Sequence, residues 1–300
     1  MRRCILQNLF RLFPFELKGD AVLTPATGDT RISCVINFYG RLDLLQGILF
    51  SLADQDYPRD RFEVLLVEDR GGTVAGRKLS ESFASCLPVR YLPLDRHFGK
   101  MGYARNYGLV QSQGKIILFL DDDTVLLQRD FLTQIDALFA EHRDIDVLVP
   151  HGQASYTLVA GHYDFHDPYF MTSRCTAYRR EVLQDLGGFM ESFVGQEDVE
   201  FVTRFTIANK KALQTATLRY AHPPLLVPNT RKSRAVGFSF YNLRNRYSWP
   251  VWLLLLCNCA RHAPLILFPS RRCREQGRFG IGFLWGIVDG IKGRQGQVYG

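Results

Sequence analysis

Three carboxylates in succession, Asp121, Asp122 and Asp123, follow the apolar run Ile116–Leu120. Unit charges about 4 Å apart repel by roughly 4 kcal/mol at an effective dielectric near 20, so such a cluster either raises a pKa or holds a cation. Oxygen-rich sites select Mg²⁺ or Mn²⁺, and Mg²⁺ usually combines one or two carboxylates with substrate phosphates. The competing reading is a solvated acidic turn that caps a helix expected over Leu126–Glu141. Two further acidic pairs stand out. Glu68 and Asp69 follow the apolar run Phe62–Val67, and Glu197 and Asp198 open the amphipathic stretch Val199–Ala208. At a helix start, acids ordinarily serve the helix dipole.

The elements that carry these residues are readable from periodicity. Ile32–Tyr39, Phe62–Val67 and Lys115–Leu120 are apolar runs of strand length, and Val89–Leu92 is a shorter one. Helical spacing occupies Arg41–Ala53, a stretch after Gly71 and Gly72 that ends near Phe83, and Gly102–Val110. Strand and helix alternating at this rhythm predict βαβ units and a mostly parallel sheet. Ligands of such sheets bind at the carboxyl ends of strands, where Glu68–Asp69 and Asp121–Asp123 both fall. Further strands are expected at Ile145–Val149 and Thr172–Tyr178, and a short helix over Arg180–Gly188 closed by two glycines that suit a left-handed cap. The polar and aromatic stretch His151–Phe170 reads as irregular. Its His162 and His166 would need a helix to share a face, which Gly161 and Pro168 oppose.

The 300 residues are 46% hydrophobic and 22% charged, a globular composition that excludes disordered and fibrous classes. The net charge of +7 is uneven: from Arg231 onward twelve bases face two acids, whereas the first 230 residues carry a net −3. Seven scattered cysteines indicate reduced thiols rather than a disulfide framework. The N-terminal MRRCILQNLFRLFPF is interrupted by Gln7, Asn8 and Arg11, so a cleaved signal is not expected. Trp249–Phe268 approaches spanning length but holds Asn258, Arg261 and His262 near its centre. One central arginine costs about 2.5 to 3.5 kcal/mol, comparable to the roughly 3 to 5 gained by the apolar positions. The segment therefore reads as lying on a membrane surface, with arginines available to anionic headgroups; a buried helix pair is the alternative. Nucleic acid is not an expected partner, because the interleaved residues are aliphatic rather than stacking aromatics.

Taken together, the segments resemble glycosyltransferase family 2, nucleotide-sugar enzymes of the GT-A fold, over roughly residues 30 to 300. The likeness rests on VINFYGR (Val35–Arg41), VEDR (Val67–Arg70), GYARNYG (Gly102–Gly108), FLDDDT (Phe119–Thr124) and LGGFMESFVGQEDVEF (Leu186–Phe201). YNLRNRY and GIVDGIKG in the tail are similar to the ends of bacterial, rhamnosyltransferase-like members. The resemblance implies an α/β GT-A domain over residues 31–230, preceded by an extension (1–30) and followed by a basic amphipathic helical region (231–300). It implies an inverting, metal-dependent transfer of one sugar from a nucleotide-diphosphate sugar to a hydroxyl of a lipid-linked or cell-envelope glycan, with Mg²⁺ or Mn²⁺ as cofactor. The enzyme would sit in the cytoplasm, peripheral at the inner membrane face.

By the same resemblance Asp121, Asp123 and His222 hold the metal, with Asp123 a direct ligand and Asp122 the replaceable acid. Tyr39, Arg41, Glu68, Asp69, Arg105, Asp121 and Asp122 bind the donor: Glu68 and Asp69 through the base and ribose, Arg105 through the nucleotide or its phosphates. Asp198 is the general base, and Glu197 orients it or the acceptor. Asn37 and Phe38 stand where the family carries Pro and Thr, and Glu68 where it carries Asp, which leaves the donor nucleotide open. The Q-x-x-R-W signature of processive synthases is missing. A nucleotidyltransferase is the alternative enzyme, although no Gly-rich, Lys-bearing phosphate loop follows the first strand; a catalytically silent membrane-binding module is the non-enzymatic one.

Overall fold

The computed structural model describes residues 3–26, 28–154, 173–222 and 230–294. Most of the stretch His151–Phe170, with His162 and His166, lies outside the described residues. In chain order the elements are α1 (Arg3–Leu12), β1 (Ile32–Phe38), α2 (Leu42–Ala53), β2 (Phe62–Glu68), α3 (Val74–Phe83), β3 (Val89–Pro93), α4 (Met101–Gln111), β4 (Ile116–Asp121), β5 (Val125–Leu126), α5 (Phe131–Glu141), β6 (Val147–Ala154), β7 (Cys175–Arg179), α6 (Arg180–Leu186), α7 (Glu197–Ile207), β8 (Ala212–His222), α8 (Thr230–Asn242), α9 (Trp249–Ala260) and α10 (Arg271–Ile291).

All eight strands form one sheet in the order β3-β2-β1-β4-β7-β6-β8-β5. The pairs β2–β3, β1–β2, β1–β4 and β6–β8 are parallel, whereas β7 runs antiparallel to β4 and β6, and β5 antiparallel to β8. Every residue of β1 and β2 is buried, as expected for strands covered by helices on both faces. The period of two divides β1 between two cores. Ile32, Cys34, Ile36 and Phe38 pack toward α2 and α5, while Val35, with Leu65 and Val67 of β2, packs toward α4, α6 and α7. A third cluster joins α1, α8, α9 and α10 with Met190, Phe193 and Ile207. All seven cysteines are unpaired.

Helix α1 of the N-terminal extension belongs to this third cluster, whereas Ala21 packs in the second core. Leu6 is buried, and Gln7 Nε2 donates to Thr206 O at 3.0 Å, fixing α1 against α7. The helix expected from Leu126 begins instead at Phe131, because β5 takes Val125 and Leu126 into register with Ala221 and Tyr220. The short helix α6 ends as its glycines predict, with Gly187 at φ 64°.

Two glycines let α4 approach its neighbours. A Cβ on Gly102 would lie 2.1 Å from Met190 O, and one on Gly108 would lie 2.5 Å from Val35 Cγ1 and 2.9 Å from Val67 Cγ2. Gly→Ala inside an open helix gains about 1 kcal/mol. Here Gly108→Ala is expected to lower unfolding free energy by about 1–3 kcal/mol through overpacking against the sheet. Urea denaturation checks the sign, and stabilisation would show that the helix stands farther from β1 and β2.

Candidate active site

β1, β2 and β4 end on the same side of the sheet. Asn37 lies beside Val67 on β2 and Asp121 on β4, and Phe38 beside Glu68. The chain then leaves β4 through a tight turn. Thr124 N donates to Asp121 O at 3.1 Å, while Asp121 N and Thr124 Oγ1 both donate to Arg174 O at 2.9 Å. The pairing of Val125 with Ala221 immediately afterwards brings His222 to the acidic triplet. His222 is buried, and its Nε2 lies 3.0 Å from Asp123 Oδ1 and 3.9 Å from Asp121 Oδ2.

One ligand atom from each of Asp121, Asp123 and His222 lies within 4.8 Å of the other two. Asp123 Oδ1 is buried without an aligned hydrogen-bond donor, although the imidazole nitrogen is in contact with it. Converging acceptor atoms of this kind suit a cation between them. Carboxylates favour Mg²⁺ or Mn²⁺, and adding an imidazole favours the transition ion. The residues present thus fit a divalent metal.

Arg41 offsets part of the triplet's charge. Its Nη1 donates to Asp122 Oδ1 at 3.0 Å and its Nη2 to Asp123 Oδ2 at 2.6 Å. The backbone holds it there in the left-handed region, φ 52° and ψ 40°, following Gly40 at φ 67°. A non-glycine residue in that region costs of order 1–3 kcal/mol and persists where its surroundings enforce it. Gln196, which precedes Glu197, is another such residue at φ 62°. Burial alone would push the Asp123 carboxyl up, but His222 and Arg41 outweigh it and hold it at about 2. For Asp122, burial prevails over Arg41, with Asp123 and Asp121 adding to it, and the carboxyl is pushed up to about 7.

Arg105 connects the two halves of the site. It is 4% exposed; Nη2 donates to Asp121 Oδ1 at 2.8 Å, Nε to Glu197 Oε1 at 2.7 Å and Nη1 to Ser173 O at 3.1 Å. The side chain expected to face the nucleotide is instead a buried tie between β4 and the start of α7. Asp198 lies next in the chain and less buried than Glu197, accepting from Ser173 N at 3.2 Å and Val199 N at 2.8 Å. Burial pushes the Glu197 carboxyl up, Arg105 draws it back and Asp198 adds to the rise.

Glu68 and Asp69 sit at the expected strand end, each with protein partners. Glu68 is buried and accepts from Thr73 N at 3.0 Å, Thr73 Oγ1 at 2.9 Å and the Tyr91 hydroxyl, at the start of α3. Asp69 accepts from Phe98 N at 2.7 Å and Gly99 N at 2.8 Å. Glu68 is 1% exposed beneath its partners, whereas Asp69 is 9% exposed, with His97 Nδ1 3.2 Å from its Oδ2. Tyr39, partly exposed, lies with its ring 4.2 Å from that of His97, and the Arg70 guanidinium stands 4.1 Å from the Tyr39 centroid. Sequence reasoning missed His97, Ser173 and Arg174. The last two act here through backbone atoms, which leave no residue-type signal. The glycine at 99 was the available hint in the sequence, and its φ of 59° shows the turn it permits beside His97.

The family model described as Glycosyl transferase family 2 matches residues 33–187. The O-antigen biosynthesis protein RfbC of Myxococcus xanthus is 28% identical over 229 residues, 66% of this chain and 18% of that protein. The poly(ribitol-phosphate) beta-N-acetylglucosaminyltransferase TarS of Staphylococcus aureus is 30% identical over 119 residues, 40% of this chain and 20% of that protein. The chain thus spans about a fifth of the length of these relatives. Among solved structures, the mannosyltransferase PcManGT of Pyrobaculum calidifontis, in complex with GDP-Man and Mn²⁺, superposes with a TM-score of 0.61 at 16% identity, covering 98% of this chain and 96% of that one. A TarS structure in complex with UDP-GlcNAc superposes with a TM-score of 0.55 at 17% identity, covering 89% and 93%. The sheet and its flanking helices are the GT-A fold that the sequence leads one to expect.

Removing Arg105 leaves Glu197 buried beside Asp198. Arg105→Met is therefore expected to cost about 3–5 kcal/mol of stability near neutral pH. With a folded pKa above its unfolded one, Glu197 is neutral in both states at low pH, and its penalty grows as pH rises from the unfolded to the folded value and is complete above it. The deficit relative to wild type should shrink between pH 8 and pH 5 as Glu197 takes a proton. Denaturation at both pH values checks this, and a deficit that grows on acidification would contradict it.

Proposed function

The chain belongs to glycosyl transferase family 2, and from that premise we propose an inverting, metal-dependent transfer of a single sugar from a nucleotide-diphosphate sugar to a hydroxyl of a lipid-linked or cell-envelope glycan. The observation that carries this reading is the convergence of Asp121, Asp123 and His222 within 4.8 Å, joined through Arg105 to the acids that open α7. Those three residues would hold Mn²⁺ or Mg²⁺, which when bound supplies Lewis-acid neutralisation of the departing diphosphate. PcManGT in complex with GDP-Man and Mn²⁺ and TarS in complex with UDP-GlcNAc support a nucleotide-sugar donor.

The residues of this chain then divide the work. Arg41, 47% exposed at its side chain, remains accessible to an anionic donor while it pairs with Asp122 and Asp123. Asp69 offers an acceptor to the base and ribose, and Tyr39, its ring already in contact with His97 and the Arg70 guanidinium, borders that position. Asp198 takes the proton of the attacking hydroxyl at a carboxylate oxygen, oriented by the Ser173 and Val199 amides. Glu197 does not compete for that role, because Arg105 neutralises it. Attack opposite the leaving diphosphate inverts the anomeric centre.

We place the enzyme peripherally at the inner face of the cell membrane. The segment Trp249–Leu267 has the length and composition of a spanning helix, yet it is divided into α9 and a 3₁₀ turn, Ala263–Leu267, around Arg261 and His262. Trp249, Leu253, Leu267 and Phe268 are exposed, and Phe13 at the end of α1 lies 6.4 Å from Trp249. An apolar face bordered by arginine supports surface attachment.

With Mn²⁺, Asp123→Ala and Asp198→Ala are each expected to lower kcat by about 10²–10⁴-fold, and Asp122→Asn by much less. Transfer retained in both of the first two variants would remove the proposed site. A nucleoside diphosphate with Mn²⁺ should raise the melting temperature of wild type and not of Asp123→Ala.

A further inference from the structure

A cavity of about 420 Å³ lies between the start of α8 and the end of α10. Arg231, Arg234, Lys292 and Arg294 line it against a single acid, Asp289. That acid is already engaged: Arg234 Nη2 donates to Asp289 Oδ1 at 2.8 Å, and Arg294 Nη1 stands 3.6 Å from the same oxygen. Arg231 and Lys292 are exposed and, among the described residues, have no carboxylate within ion-pair distance, although Lys292 adds to the positive field at Asp289. On α10, one turn before Asp289 and Lys292, Trp285 and Val288 add an apolar part to the lining, and Trp285 is 56% exposed. Concentrated positive charge beside an unused indole face suits a ligand with an anionic head and a hydrocarbon body.

The helices are brought together by small residues. A Cβ on Gly282 would lie 2.0 Å from Ser233 Oγ, and one on Gly286 would lie 2.0 Å from Arg234 O. Close backbone approach therefore fixes the cleft. Its α8 wall is also tied to the active site. Val194 N donates to Ser239 Oγ at 3.2 Å, and Lys232 Cε lies 3.8 Å from where a Cβ on Gly195 would be. Gly195 stands two residues before Glu197 and three before Asp198.

From this we infer that the α8–α10 cleft is a binding site for the phosphate of an amphiphilic phosphoester, its head held by Arg231, Lys292 and Arg294 and the start of its hydrocarbon lying on Trp285. The N-terminal amides of α8 add a favourable dipole to the same end of the cleft. The inference deepens the proposed function, since it rests on the reading of a lipid-linked acceptor and gives the lipid phosphate a place beside α8, the helix that also contacts Val194 and Gly195 ahead of the proposed base. The phosphate could belong to that acceptor or to an anionic membrane lipid, and the two are separable.

The test uses the full chain in EDTA, so that the acidic site cannot bind a metal-bridged diphosphate. Binding of geranyl diphosphate and of inorganic pyrophosphate is measured by titration calorimetry, and of phosphatidylcholine vesicles with and without phosphatidylglycerol by co-sedimentation. Geranyl diphosphate is expected to bind about 10-fold or more tightly than pyrophosphate, and Arg231→Gln/Lys292→Gln to weaken it by about 10-fold or more. Arg231→Lys/Lys292→Arg should retain it. Trp285→Ala should weaken geranyl diphosphate and leave pyrophosphate unchanged. Geranyl diphosphate binding supports the acceptor phosphate as the source; binding confined to phosphatidylglycerol vesicles and lost in the double glutamine variant supports the membrane headgroup. Equal binding of wild type and the glutamine variant to every probe overturns the inference, as does pyrophosphate binding as tightly as geranyl diphosphate. Asp123→Asn should bind geranyl diphosphate like wild type whatever becomes of its transfer activity, which keeps failure of the cleft distinct from failure of the catalytic reading.

Discussion

The buried guanidinium of Arg105 touches β4, the Ser173 backbone and α7 at once, and the arrangement of the site depends on it. Five carboxylates, Asp121–Asp123 and Glu197–Asp198, are gathered from two distant parts of the chain. Without compensation their repulsion would amount to several kcal/mol. Arg105 bridges one acid from each group, Arg41 covers the outer face of the triplet and His222 approaches from β8. The acids can then stay close together and still present oxygens toward a cation. Asp198 remains outside the bridge, available for proton transfer.

The sheet supplies the positions and the glycines of α4 supply the proximity. Because α4 packs directly on β1 and β2 through Gly108, Arg105 one turn earlier reaches beneath the end of β4. The antiparallel strand β7, inserted between β4 and β6, delivers Ser173 and Arg174 just before it begins. Their carbonyls fix Arg105 and the turn after Asp121. The third core, built from α1 and the C-terminal helices, holds the 193–195 segment from the other side through Ser239. The basic tail is thus packed against the segment that leads into the proposed catalytic acids.

Much of this was legible in the sequence because it is local. The strands β1, β2 and β4 are continuous apolar runs, and the acids at their ends follow from the strand boundaries. What escaped was non-local. Helical spacing alone places Leu126 in a helix; only its pairing with Tyr220 makes it a strand residue. Arg105 has the same residue type whether it faces a phosphate or two buried carboxylates, and only the fold selects the second. Glu68 likewise reads as a donor-binding acid at a strand end, although Thr73 and Tyr91 enclose it. His222 could be assigned by resemblance, but its approach to Asp123 depends on the register of a two-residue strand.

Asp121, Asp123 and His222 are proposed to form one metal site for a nucleotide-sugar donor. The most direct test of that assignment is an anomalous difference map from a crystal of this protein grown with Mn²⁺ and a nucleoside diphosphate. A manganese peak is expected in contact with carboxylate oxygens of Asp121 and Asp123 and with His222 Nε2, the diphosphate completing its shell. A nucleotide bound with no manganese at these residues, or manganese bound elsewhere on the chain, would contradict it.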